Sequence, residues 1–380
     1  MKQNKNILKN PGVQSLLTSL LCILLGLFIG YLVLLLINPT GAWGAITNVM
    51  KNFLTYSSAK AQLKYLGNTL VRTAPLLMCS LSVLFVYKVG LFNIGAAGQY
   101  VAGACACLYA ALYLHWHWLP CMLLAIAAGA LLGVISGLLK SSFNVSEVIS
   151  GIMLNWIALY TTNMLLTNVK EATSPYTYQL KAEGPQAILP QISLSKLLSG
   201  NQYVTIAIPI AIVCAVVIWV VLSKTLFGYE LKATGNNPNA ATYCGMAEKR
   251  NIILTLAIGG ALAGLGASLL YQTGYEQWQC TYSSVPSMGF NGIAAAFLGG
   301  LSPIGSIFAS FFIQHITAGG AYVDKSLYCS QISDLISAII IYLCSFVLFF
   351  KTVLSSWIAR HEEKKARKAA QAAGKGGEQA

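Results

Sequence analysis

The sequence predicts an all-α polytopic membrane protein with eight full spans, a re-entrant pair of broken helices and an inverted repeat. Three observations lead there. Of the 380 residues, 56% are hydrophobic and only 9% are charged, whereas soluble domains carry about a quarter charged residues. Apolar runs recur at lengths near the roughly 20 residues a helix needs to cross a bilayer. The basic residues behind the net charge of +13 gather at the borders of those runs. That is the pattern of a membrane protein surrounded by lipid, and it argues against a nucleic-acid partner.

Taken in order, the expected spans are 15–38, 70–87, 92–114, 119–139, 148–167, 203–222, 252–271 and 332–350. The first run is too long for a signal-peptide core and reads as an uncleaved anchor. An inner amino terminus places sixteen lysines and arginines in inner segments and eight in outer ones, which is the favoured sense. The basic tail 351–380 prefers the same side, so the number of crossings is even. The interrupted region 289–318 must then enter and leave on one face. The organisation is an inner amino terminus 1–14, a transmembrane domain 15–350 and the inner tail. Within the domain lie a polar inner loop 224–250 and the re-entrant region 289–318.

The informative residues are polar ones where lipid would forbid them. Lys88–Val101 lies between two apolar runs yet holds Asn93, Gln99, Gly90, Gly95 and Gly98. Glycines let backbone break or approach another backbone, and amides in a bilayer need partners. A broken helix lining a solute path is one reading, and a tight polar turn is the plainer one. Asn155, beside Trp156, is more than a turn inside its span and should face protein or water. In 289–305, Gly299, Gly300, Pro303 and Gly305 break the helix. Phe290-Asn291 there echoes Phe92-Asn93 from the opposite face. Asn93, Gln99, Asn155, Trp156 and Asn291 are therefore the candidate pathway residues.

Other features read as scaffold. Ala125, Gly129, Gly133 and Gly137 fall on one helical face, and Gly260 and Gly264 repeat the spacing, as close helix packing in lipid requires. Arg72 should snorkel outward. Glu147, three residues after Asn144, fits a capping box better than a proton relay. His115 and His117 could hold a metal, but the alternating tryptophans fit an interfacial belt. His315 reads as a hydrogen-bonded interior residue. In the inner loop, Asn237 before Pro238 starts a short helix that ends at Gly245 and would lie on the inner face. Cys280 and Cys329 fall in outer loops, either as a disulfide bracketing the re-entrant region or as two free thiols.

Some functions are excluded or disfavoured. The chain has no Gly-x-x-x-x-Gly-Lys-Ser/Thr phosphate loop, so ATP would bind elsewhere. Apart from Arg72 and Asp334, each near the edge of its span, the spans contain no Asp, Glu, Lys or Arg, which argues against proton coupling. No constellation for intramembrane catalysis occurs, so the chain is not expected to be an enzyme. Sodium coordination by backbone carbonyls stays open.

Four ordered stretches resemble one family. Gly90-Leu-Phe-Asn-Ile-Gly-Ala-Ala-Gly-Gln99 is similar to the signature of permease subunits of bacterial ABC importers, in the branch for simple sugars, branched-chain amino acids and nucleosides. Phe143-Asn-Val-Ser-Glu-Val-Ile-Ser-Gly-Ile-Met-Leu-Asn-Trp156 and Gly289-Phe-Asn-Gly-Ile-Ala-Ala-Ala-Phe-Leu-Gly-Gly300 resemble further segments of its nucleoside-type members. Ala233–Met246 resembles their coupling loop, with Gly235, Pro238, Ala240, Ala241, Tyr243 and Gly245 as the coupling positions. The resemblance implies a plasma-membrane importer with two permeases, two cytoplasmic ATPases that carry ATP and Mg, and an extracellular binding protein. Nucleosides are the expected solute, with a sugar or branched-chain amino-acid importer, or a lone sodium-coupled transporter, as alternatives. Ala97 stands where the signature usually has Glu, which suggests a non-identical partner permease.

Overall fold

In a computed structural model the described residues are 11–324, 326–328 and scattered positions from 335 to 360. The chain forms α1 (Pro11–Ile37), α2 (Ala42–Lys51), α3 (Ala59–Tyr87), α4 (Ala96–Leu112), α5 (Trp118–Phe143) and α6 (Glu147–Leu166). Two single-turn helices follow, α7 (Leu180–Glu183) and α8 (Leu194–Leu197), then α9 (Ala207–Lys224), α10 (Leu226–Asn236), α11 (Pro238–Tyr243) and α12 (Glu248–Tyr271). The described series closes with α13 (Met288–Leu298) and α14 (Pro303–Gly319). No sheet forms among the described residues, only isolated bridges such as Tyr176 with Gln279.

Among the described residues seven helices are long and apolar enough to cross a bilayer: α1, α3, α5, α6, α9, α12 and α14. The set differs from the expected eight in three ways. The expected span 92–114 shortens to α4, because residues 88–95 leave helical geometry and Gly90 turns at φ +73°. α14, expected as half of a broken pair, is itself long enough to span. The expected span 332–350 lies outside the continuously described residues. Helices also replace expected loops. Ala59–Asn68 extends α3 outward through good helix formers such as Lys60, Gln62 and Lys64. α2 and α10 are amphipathic, which a search for uniformly apolar runs misses.

α3, α4 and α12 are buried on nearly every side and form the centre, with α5, α6, α9, α13 and α14 packed around them. The glycine face of α5 lies against α12 at backbone distance. A Cβ added to Gly133 would sit 2.1 Å from the Leu256 carbonyl oxygen, and one at Gly129 would sit 2.2 Å from that of Gly260. Without side chains in the way, the two helices gain close dispersion contact, the main attraction between helices in lipid.

α13 and α14 form a hairpin. Phe297 meets Tyr87 edge-on at 5.4 Å, so α13 runs toward the end of α3, and the chain reverses through Gly300 (φ +65°) and Leu301 (φ +53°). Met288 at the start of α13 and Thr317 near the end of α14 line the same cavity, so the hairpin returns to the side it came from.

Two smaller expectations, for Glu147 and Arg72, change, and the hydrogen-bonded His315 is found as expected. Asn144 is the left-handed residue ending α5, so no capping box forms; Glu147 instead pairs with Lys140 at 3.0 Å. Arg72 does not snorkel but pairs with Glu276 from the loop after α12. His315 accepts from Asn52 at 3.2 Å and donates to the Met50 carbonyl at 2.9 Å, the tautomer these two partners require. Cys280 is half-buried, and burial pushes its thiol up from the ordinary value. Its candidate partner Cys329 lies outside the described residues.

Candidate functional site

At the end of the bundle opposite α11, the hairpin, α3, α4 and the loop after α12 surround a cavity of about 380 Å³. Its polar and aromatic lining is Arg72, Tyr100, Tyr271, Glu276, Tyr282, Asn291 and Gln314, with Leu270, Val285 and Met288 between them. That size lies in the lower range of small-molecule pockets. The loop wall is rigid by construction. Trp278 is fully buried and donates from its indole to Asn163 at 2.9 Å, while Asn163 donates to the Tyr282 carbonyl at 2.9 Å. Burial raises the Tyr275 and Tyr282 hydroxyls above the usual phenol range, so both remain donors.

Two helix starts meet beneath the cavity. A Cβ on Gly289 would lie 2.4 Å from the Ala97 Cα, so the first turns of α13 and α4 touch through backbone. A Glu at position 97 would project from this contact, where Ala97 is 1% exposed. The amides cluster on the α4 side of it. Asn93 is 2% exposed and donates to Gln99 Oε1 at 2.9 Å and to Ser82 Oγ at 3.0 Å. Asn155 accepts from the Gly98 N–H at 2.7 Å and donates to the Ile94 carbonyl at 3.1 Å. The two Asn155 bonds satisfy backbone groups that the broken helix leaves without partners.

The candidate residues thus occupy three settings. Asn291 lines the cavity. Asn93, Gln99 and Asn155 are buried at the α3–α4 break, where Gln99 Nε2 has no partner. Trp156 lies on the outer side of α6, 41% exposed and stacked on Tyr160. Sequence reasoning missed Tyr100, Tyr271, Glu276 and Gln314. The available signal was Arg72, a charge inside a predicted span.

At the other end, Asn237 caps α11 by accepting from the Ala240 N–H at 3.0 Å, with Pro238 in the first turn and Gly245 at φ +81° after it. Tyr243 projects into open space, 93% exposed, while Ala241 is buried. α10 connects this helix to the core. A Cβ on Gly235 would lie 2.6 Å from the Val89 carbonyl carbon, and Gly90 faces Gly235 across the same contact. Lys88–Gly90 leads directly into the break that holds Asn93.

A multi-helix membrane domain with an apolar exterior, a central broken helix and a cavity rich in polar groups is the architecture of a solute permease. Residues 65–345 match the family of branched-chain amino acid transport system permease components, and the chain belongs to it. It is the permease component of an ABC transporter, a multi-pass membrane subunit that is not itself catalytic. The chain is 31% identical to the nucleoside ABC transporter permease protein NupB of Lactococcus lactis, over 98% of this chain and all of the relative. It is 33% identical to the guanosine ABC transporter permease protein NupP of Bacillus subtilis over 86% of this chain and 92% of the relative. A second guanosine permease of that organism, NupQ, matches at 29% over 64% of this chain and 77% of the relative. The glucose ABC transporter permease protein TsgB13 of Haloferax volcanii matches at 28% over 88% of both. No solved structure matches.

Proposed function

We propose that the chain imports nucleosides, with the cavity as the outer mouth of the path and both termini in the cytoplasm. The observation that carries this reading is the cavity itself: amides, hydroxyls and tyrosine rings, with one Arg72–Glu276 pair whose charges offset each other, around a space sized for one small planar solute. The nucleoside and guanosine permeases among the relatives support the same solute class. ATP and Mg act on partner ATPases, which α11 contacts through Pro238, Ala240 and Tyr243, while the buried Ala241 seats the helix on the chain. An extracellular binding protein delivers the solute to the loop after α12. The second permease is a non-identical relative, a reading supported by the two guanosine permeases of one organism.

The topology follows from charge. Lys140, Lys224, Lys232, Lys249 and Arg250 border the α11 end, which becomes the inside. α4, about 25 Å long at 1.5 Å per residue, then serves as a crossing. The hairpin α13–α14 is the re-entrant element, opening outward, and its approach from the face opposite α4 supports an inverted repeat. A sugar is the second reading, favoured by the glucose permease match.

Uptake into liposomes containing this chain, its partner permease and the ATPases, with binding protein outside, tests the proposal. Uptake of a nucleoside that needs both ATP and the binding protein is expected. Uptake by this chain alone would overturn the importer reading, and ATP-driven uptake of glucose but no nucleoside would replace the solute.

A further inference from the structure

Arg72 and Glu276 are the only charged side chains lining the outer cavity among the described residues, and they are paired with each other. Their side chains are 35% and 30% exposed, so both are partly desolvated yet reachable from the cavity. The guanidinium carbon also lies 5.3 Å from the Tyr275 ring centre, and Arg72 Nε is buried without a partner. Ser287 and Met288, at the start of α13, open on the same space. The positive end of that helix dipole therefore faces the cavity beside the guanidinium. A guanidinium, an aromatic face and a helix start together form a place suited to a phosphate group. Glu276 fills the anion's role from within the chain.

We infer that Glu276 is a specificity-determining residue: a built-in counter-anion that reserves the cavity for uncharged solutes and bars phosphorylated ones. This inference rests on the reading of the cavity as the solute path. A neutral nucleoside enters without disturbing the pair, using the tyrosine hydroxyls, Asn291 and Gln314. A nucleoside monophosphate must either displace the Glu276 carboxylate from Arg72, stranding a partly desolvated charge, or sit beside a like charge. Discrimination of this kind works by penalising the wrong solute rather than by holding the right one tightly. It also fits transport, in which the solute must leave.

The test uses the full transporter in lipid nanodiscs with Asn291→Cys as a reporter inside the cavity. The maleimide labelling rate of that thiol is read with uridine 5′-monophosphate or uridine added. With Glu276 present, the monophosphate should protect poorly. In Glu276→Gln it should protect at concentrations lower by about ten-fold or more, the size of one charge-assisted hydrogen bond. That gain should shrink between about 0.1 and 1 M salt. It should be absent in Arg72→Gln/Glu276→Gln, where no free guanidinium remains. Glu276→Ala provides the same test if the glutamine variant does not assemble. No gain in an assembled single variant, or an equal gain in the double variant, overturns the charge filter. ATP-driven nucleoside uptake by the chain with Glu276 intact is measured alongside. Its absence counts against the proposed function, whereas normal uptake with no anion gain counts only against the filter.

Discussion

Asn155 holds two backbone groups, the Gly98 N–H and the Ile94 carbonyl, at the point where α4 begins inside the bundle. Replacing it with Leu strands both groups in a dry interior. The expected loss is about 1–3 kcal/mol, read as a lower unfolding temperature of the detergent-solubilised protein. An unchanged temperature would mean that water or other groups take over both bonds. That an amide so deep in a span faces protein or water was legible from the sequence, because lipid cannot satisfy it. Its direction was not. Asn93, Gln99 and Asn155 turn into the break, Asn93 to the side chains of Gln99 and Ser82 and Asn155 to backbone, whereas Asn291 turns to the cavity, and only tertiary packing decides between them. The Arg72–Glu276 pair spans a gap of 204 residues that no local pattern bridges.

The helical elements carry two further predictions. Gly235 lies against Val89 with no room for a Cβ, so on the proposed coupling role a push on α11 would reach the α3–α4 break through α10. Gly235→Ala should weaken the coupling of ATP hydrolysis to uptake by about 0.5–2 kcal/mol, leaving hydrolysis running while uptake falls several-fold. Equal losses in both would indicate a general folding defect instead. Gly133→Leu should separate α5 from α12 and cost about 1–3 kcal/mol or more, seen as lost assembly in detergent. Normal assembly would show that the helices can part without penalty. The α5 glycine face and the α11 cap were both readable, since each is a local rule of spacing or capping. The contact of Gly235 with Val89 was not, because it joins segments far apart in sequence. α2 and α10 escaped for a different reason: their polar faces break the continuous apolar signal that marks a span.

For the whole molecule, the two ends have opposite characters. One end carries the basic borders and the exposed Tyr243 on a capped short helix. The other holds the cavity under a loop fixed by Trp278 and Asn163. Between them, the first turns of α4 and α13 meet through backbone at Ala97 and Gly289. Composition and charge placement made the membrane class legible, and the glycine–proline run 299–305 made the hairpin legible. The cavity was not, since it is assembled from helices and a loop far apart in the chain. The central claim is that solute passes this cavity under the control of the α11 end. Asn291→Cys in the full transporter tests it most directly, by labelling with a membrane-impermeant maleimide from outside, with and without ATP trapped on the ATPases. The account predicts a thiol open to the outside whose labelling rate changes several-fold between the two states, while Trp156→Cys labels alike in both. A thiol at position 291 that is unreactive in every state, or equally reactive in both, would contradict it.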